Sequence, residues 1–289
     1  MKVDNAIIMA AGTSSRFAPW SYERPKALLP VKGEILIERQ IRQLQAAGIP
    51  EVIVVTGYKA EQFSYLKEKY GVSLVYNADY LIRNNNASIY AAKDYLKNSY
   101  ICSSDNYFRD NPFEKEVDES YYAAIYKEGA TNEWCITERN GWIQKVKVGG
   151  RDSWIMLGHA FWSETFSRKF LKILESEYEK KETADKLWEA IYMEHMNELP
   201  MKVRKYGPDS IYEFDTLDEL RQFDDSYINN TRSEILKKIA EEIYTSEKNL
   251  WAIKAFRDKD NTVVGFTFQA RGKKYKYYYK TAKWEEISK

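Results

Sequence analysis

The chain has 289 residues, enough for one large domain or a domain with an appendage, and its 44 Lys and Arg offset 43 Asp and Glu to a formal net charge of +1. That balance gives no whole-molecule field for nucleic acid or a membrane surface, and no apolar run approaches the roughly 18–20 residues that span a bilayer. Two distant cysteines, Cys102 and Cys135, fit a reducing, cytoplasmic setting, and two histidines are too few for a multi-histidine metal site, so a divalent ion would rest on carboxylates, which favours Mg²⁺.

The first apolar run, Ala6-Ile7-Ile8-Met9-Ala10, predicts a buried strand over 5–10. Ile37, Ile41, Leu44 and Ala47 recur at helical spacing, and Gly48 ends that helix. A second strand is predicted over 52–55, a helix over 62–70 stopped by Gly71, and a third strand over 72–75. A helix over 87–97 and a strand over 100–102 complete a βαβαβ rhythm. The fold expected is α/β: a Rossmann-like, mixed and mostly parallel sheet with helices on both faces, plus a small α+β C-terminal extension. Short strands and turns are expected from 120 to 162, with a hairpin at Asn140-Gly141. Helices near 164–180 and 184–197, a strand over 201–206, a Gly207-Pro208 turn and a helix from Leu217 follow. The predicted domain limits are 1–228, with a nucleotide-binding part to about 120 and an acceptor-binding part over 121–228, and then a basic extension over 229–289. In the extension, Lys273, Lys274, Lys276 and Lys280 interleave with Tyr275, Tyr277, Tyr278 and Tyr279. Stacking on an anionic polymer would use such a pattern, but a solvated edge strand guarded by lysines explains it more simply.

Ligands of doubly wound sheets sit beyond the carboxyl ends of the strands. Two features fall there: the loop Ala11-Gly12-Thr13-Ser14-Ser15-Arg16 and Asp105. A loop with bare backbone N–H groups can approach phosphate. It is no Walker loop, because no Gly-Lys-Ser/Thr follows, and its glycine spacing is wrong for a dinucleotide fingerprint. A glycine turn serving only the backbone is the ordinary alternative. Pro25 fixes the backbone before Lys26, so the ammonium would be held in one place; the alternative for Lys26 is a solvated surface lysine.

Ala10-Ala11-Gly12-Thr13-Ser14-Ser15-Arg16, Pro19 and Pro25-Lys26-Ala27-Leu28 together resemble the signature of nucleotidyltransferases that activate sugar phosphates and related phosphate monoesters. Ser14 stands where a second glycine is common in that signature. A narrower resemblance, over residues 1 to about 225, is to bacterial CTP:phosphocholine cytidylyltransferases. It is carried by residues 61–72, Asn84-Asn85-Asn86-Ala87-Ser88, Asp105-Asn106-Tyr107, Thr131-Asn132-Glu133-Trp134 and Ser210-Ile211-Tyr212-Glu213-Phe214-Asp215.

The resemblance implies CTP and phosphocholine as substrates, and a metal site at Asp105 and Asp215 with Glu213 near. Independent chemistry agrees, because joining two anions at a phosphorus requires charge screening. The ordinary alternative is that Asp105 caps a turn and Asp215 caps the following helix. Residues 10–16 form the expected nucleotide loop, with Arg16 on the β and γ phosphates and Lys26 where both substrates' phosphates meet. Arg16, Lys26 and Asp105 are the expected catalytic residues. By resemblance Asn85 and Ser88 contact the pyrimidine or ribose, with helix capping as their alternative. A trimethylammonium group is best recognised by aromatic faces and a carboxylate. Trp134, Trp162 and Trp188, with Glu133 and Asp185, are the expected acceptor residues; core packing is the alternative for each ring. His159 and His195 are expected to be structural or exposed. Rival readings are the same chemistry on phosphoethanolamine or 2-aminoethylphosphonate, a sugar-1-phosphate nucleotidyltransferase, and a silent nucleotide sensor. A membrane or nucleic-acid partner is not expected, and a homodimer is left open.

Overall fold

In the computed structural model, which describes residues 1–287, the strand Asn5–Ala10 is buried along almost its whole length. It pairs in parallel with Val52–Thr56 on one side and Ser99–Ser103 on the other. Ser73–Tyr76 adds a fourth parallel strand beyond Val52–Thr56. On the other side, Ser99–Ser103 pairs antiparallel with Trp142–Trp162, which pairs antiparallel with Tyr121–Arg139. Lys202–Tyr206 closes the edge in parallel with Tyr121–Arg139, giving a mixed, mostly parallel seven-stranded sheet. This is the Rossmann-like sheet read from the sequence.

The segment 120–162 differs from its expected short strands. It is two strands of 19 and 21 residues, joined at Asn140-Gly141 with φ of 53° and 79°. Those positive angles are the signature of a tight hairpin turn. Repeated register shifts interrupt the ladder between the two strands. Each bulge breaks the period-two alternation, so long strands read as fragments.

Two expected helices are also shorter. The helix expected over 87–97 is Asn86–Ala91, followed by a 3₁₀ turn at Lys93–Tyr95. The helix expected over 184–197 is split into Lys181–Ala184 and Trp188–Glu194. Between them Leu187 is extended, and the buried Asn86 amide donates to the carbonyls of Thr183 and Lys186. A distant side chain thus satisfies carbonyls that a continuous helix would have bonded internally.

Backbone contacts gather Met1–Gly12 and Leu36–Glu213 into one compact unit, and Thr13–Ile35 with the chain from Phe214 onward into another. Within the second unit, residues 22–30 and the C-terminal part of the chain touch directly. Tyr22 stacks on Tyr279 at 3.8 Å with nearly parallel rings. Glu23 accepts from the Ile235 amide at 3.1 Å. The Pro30 carbonyl accepts from Tyr227 Oη at 2.5 Å and Arg232 Nη1 at 3.0 Å. The last four strands, Trp251–Arg257, Val263–Ala270, Lys273–Tyr278 and Lys283–Ile287, form an antiparallel sheet in chain order. The lysine-tyrosine strand is therefore interior, not the edge strand expected. Tyr275 and Tyr277 are buried, and Lys273 pairs with Glu286 at 2.7 Å, so this pattern packs a sheet face rather than presenting a row of open rings.

His159 sits fully buried on Trp142–Trp162, ringed by Tyr100, Phe108, Phe113 and Tyr121. Tyr121 Oη lies 2.8 Å from its Nε2. Burial, with the nearby Arg204 charge, pushes the imidazole down to about 3. The unfolded chain therefore takes up a proton at this site below about pH 6.5 that the folded chain refuses. Stability should fall as pH drops through that window. Urea unfolding at pH 7 and 4.5 should show His159 contributing roughly 2–3 kcal/mol of the loss, and His159→Phe should flatten the dependence by that amount.

Candidate active site

The sheet fixes where the first loop leaves. Tyr58 N donates to the Ala11 carbonyl at 3.0 Å. A side chain at Gly57 would place its Cβ 2.7 Å from Tyr80 and 2.9 Å from the Ala11 oxygen, so only glycine permits this approach. In the second unit, Phe17 N donates to the Ser14 carbonyl at 2.9 Å, closing a turn. Ser14 has φ of 47°, the left-handed conformation that glycine favours, at a cost of about 1 kcal/mol for an ordinary residue. The serine thus keeps the glycine backbone that the nucleotidyltransferase signature calls for. Arg16 Nη1 donates to Asp215 Oδ2 at 2.5 Å, an exposed pair. Lys26 opens the 3₁₀ turn Lys26–Leu28 after Pro25 and is only 4% exposed, which removes the solvated-lysine alternative. Its ammonium lies 5.8 Å from the Phe17 ring centroid.

Among the carboxylates, Asp105 follows Ser99–Ser103, and the adjacent Ser104 amide donates to the Met9 carbonyl at 3.3 Å. The strand Asn106–Phe108 then pairs antiparallel with Ile211–Glu213, so that Glu213 faces Asn106 directly. Glu213 is thereby carried to the residue beside Asp105. Asp215 does not cap the next helix. Thr216 does, in a capping box with Glu219, whose carboxylate also accepts from the Asp215 amide at 2.7 Å. The Asp215 side chain is thus left for Arg16 and other charge. Asp105 and Glu213 in the first unit, and Asp215 in the second, are each oxygen donors of the kind a hard divalent ion takes.

The three expected acceptor tryptophans share one cluster, in which Trp188 is buried. Trp188 and Trp162 meet edge to face, with ring centroids 5.0 Å apart. Trp162 is fully buried and also packs against Phe166 and Phe170, so its ring backs Trp188. Trp134 is half-buried on the long hairpin, against the same cluster. Glu133 is exposed on the hairpin, and Asp185 is exposed in the break before Trp188.

Sequence reasoning missed Glu189 and Tyr122. Tyr122 stacks on Trp188 at 5.6 Å and donates to Glu189 Oε1 at 3.2 Å. Asn85 donates to Glu189 Oε2 at 3.1 Å and accepts from the Trp188 amide at 2.7 Å. Asn85 thus makes no capping bond to its own helix; it holds this carboxylate. Ser88 is buried, and its hydroxyl accepts from the Asn77 amide at 3.3 Å. Burial pushes Glu189 up to about 7. Trp162 Nε1, Trp188 Nε1 and Tyr192 Oη are buried in this cluster without a protein partner. The signal was present in the sequence: Trp188, Ile191 and Tyr192 make an apolar helical face, and Glu189 is a carboxylate set within it.

Residues 6–148 match the MobA-like NTP transferase domain. A choline-phosphate cytidylyltransferase of Streptococcus pneumoniae is 37% identical over 221 residues, covering 76% of this chain and 96% of its own length. The chain belongs to the choline-phosphate cytidylyltransferase family. It is a nucleotidyltransferase, of a family that generally uses a divalent metal. A 2-aminoethylphosphonate cytidylyltransferase of Lancefieldella rimae is 35% identical, over 79% of this chain and 95% of its own. The solved structure of the CTP:phosphocholine cytidylyltransferase from Streptococcus pneumoniae superposes with a TM-score of 0.75 at 36% identity, over 78% of this chain and 99% of that one. No helix among the described residues is long and apolar enough to cross a membrane.

Because the folded pKa of Glu189 is raised, its neutral carboxyl contributes stability that is fully present below about pH 4.5 and lost as pH rises through about 7. Glu189→Gln should remove roughly 2 kcal/mol of this decline. Unfolding curves at pH 5.5 and 8 should show the variant losing less stability than the parent.

Proposed function

We propose that the protein transfers CMP from CTP to phosphocholine, giving CDP-choline and pyrophosphate. The observation that carries this reading is the buried Glu189 carboxylate held between Tyr122 and Asn85 beside Trp188. Burying a carboxylate costs several kcal/mol, which a cationic ligand offsets. Aromatic faces with no demand for N–H donors suit a quaternary ammonium. Trp134, against the same cluster, is the further proposed acceptor ring, with Glu133 and Asp185 adding negative charge nearby.

A phosphate oxygen of phosphocholine attacks the α-phosphorus of CTP in line, and the bond to the β,γ-pyrophosphate breaks. The attacking monoester is already largely ionised near neutral pH, so no protein nucleophile or general base is needed. Catalysis is positioning and charge neutralisation. Arg16 takes the β and γ phosphates, and Lys26 the region where both substrates' phosphates approach. Asp105, Glu213 and Asp215 are the proposed ligands for Mg²⁺, which supplies electrostatic screening of the phosphates when bound. The exposed Arg16–Asp215 pair is worth at most about 1 kcal/mol, so exchanging it for substrate charge costs little.

The test is pyrophosphate release from each nucleoside triphosphate with each phosphorylated amine in the presence of Mg²⁺. CTP with phosphocholine should give the highest kcat/KM. Preference for 2-aminoethylphosphonate or phosphoethanolamine would move the acceptor to a primary ammonium, and turnover only with a sugar phosphate would overturn the reading. Asp105→Ala should abolish turnover in a folded protein. A second outcome follows from Glu189. Phosphocholine should hold it ionised and release part of a proton near pH 7. Calorimetry in buffers of different ionisation enthalpy should detect that proton, and Glu189→Gln should release none.

A further inference from the structure

The motif resemblance ends at about residue 225, and the match to the pneumococcal enzyme leaves about a quarter of this chain uncovered. The added segment nevertheless reaches the loop that carries Arg16. Arg257, the last residue of Trp251–Arg257, donates from Nη2 to Ser15 Oγ at 3.0 Å, across 242 positions of sequence. Its Nη1 donates to the Asn261 carbonyl at 2.6 Å. Asn261 belongs to a tight turn in which Asp258 Oδ1 accepts from the amides of Asp260 and Thr262. The guanidinium is thus held by its own hairpin at one nitrogen and by the loop at the other.

Both partners are neutral. Among the described residues Arg257 forms no ion pair, whereas Arg16, the residue after Ser15, is paired with Asp215. An exposed guanidinium pinned by neutral groups keeps its full charge, and only two of its five N–H donors are spent. Its placement is fixed, because Tyr279, Ile235 and Arg232 tie the extension to residues 22–30.

We infer that Arg257 binds the triphosphate of the nucleotide, so that the C-terminal extension supplies part of the phosphate site. This rests on the reading that the Ser14–Arg16 segment carries phosphates. A charge-assisted bond of this kind is worth about 1.5–3 kcal/mol, roughly tenfold or more in affinity.

The experiment compares CTP with CMP, which lacks the β and γ phosphates, by direct binding to the full chain. Arg257→Ala and Arg257→Gln should weaken CTP about tenfold or more while leaving CMP and the KM for phosphocholine unchanged. Arg257→Lys should recover much of the loss. The glutamine variant keeps a donor for Ser15, so it reads the charge even if the alanine variant is poorly folded. If CTP and CMP weaken alike, Arg257 only braces the loop and the inference fails. If CTP binding is unchanged in Arg257→Ala but weakened in Arg16→Ala, the inference fails and the phosphate loop stands. If neither variant affects CTP, the phosphate-loop reading itself falls.

Discussion

Asn5–Ala10 has hydrogen-bonded neighbours on both edges, in parallel, and that constraint places three chain exits side by side. Parallel strands end on the same side of a sheet, so the chain after residues 10, 56 and 103 emerges at one edge. The backbone then locks the exits together. Ala11 accepts from Tyr58, and Met9 accepts from Ser104. Gly57 permits the first of these approaches because any Cβ there would meet the Ala11 oxygen at 2.9 Å. Asp105, one residue beyond Ser104, inherits this fixed position, and the short ladder from Asn106 carries Glu213 to it.

Charge is distributed unevenly over this frame. The exposed Arg16–Asp215 pair contributes little to stability and is easily exchanged. Lys26 and Glu189 are different, at 4% and 8% exposure. Groups of this kind lose hydration on folding and are poor sources of stability. Glu189 accepts two side-chain hydrogen bonds and still has its pKa raised by burial. Under the proposed function, the cost at Glu189 is offset by the cationic group of the acceptor.

The parallel core was legible because its strands are continuous apolar runs with glycine or polar stops, as at Val52–Thr56 and Gly57. The loop motif and the carboxylates were legible as residue types at strand ends. What failed was whatever depends on remote partners. The 121–162 hairpin hides its length behind bulges. The break before Trp188 is set by Asn86, a hundred residues earlier, which no local pattern contains. Trp162 and Trp188 read alike in sequence and both are buried; the first packs on Phe166 and Phe170, the second on Phe170 and on Tyr122, whose hydroxyl donates to Glu189. Capping was the ordinary alternative for Asp215, and the next residue, Thr216, takes that role with Glu219 as its partner. Lys273–Tyr278 reads as an edge strand because alternating lysine marks an exposed face, and strands with one wet face can lie inside a sheet as well as at its border.

The extension matters for the same energetic reason as the buried charges. Residues 13–35 carry Arg16 and Lys26 but contain only a four-residue helix, a 3₁₀ turn and a two-residue hairpin. Such a segment is costly to order, at about 1–2 kcal/mol of backbone entropy per residue. If the substrate had to order it, that cost would be subtracted from binding. Here the Tyr22–Tyr279 stack, the hydrogen bond from the Ile235 amide to Glu23 and the two hydrogen bonds accepted by the Pro30 carbonyl order it during folding. A segment that pre-orders a phosphate loop is also well placed to add a donor to it, and Arg257 occupies that position at Ser15. Bracing of residues 13–35 and the charge inferred for Arg257 thus rest on the same packing within the second unit.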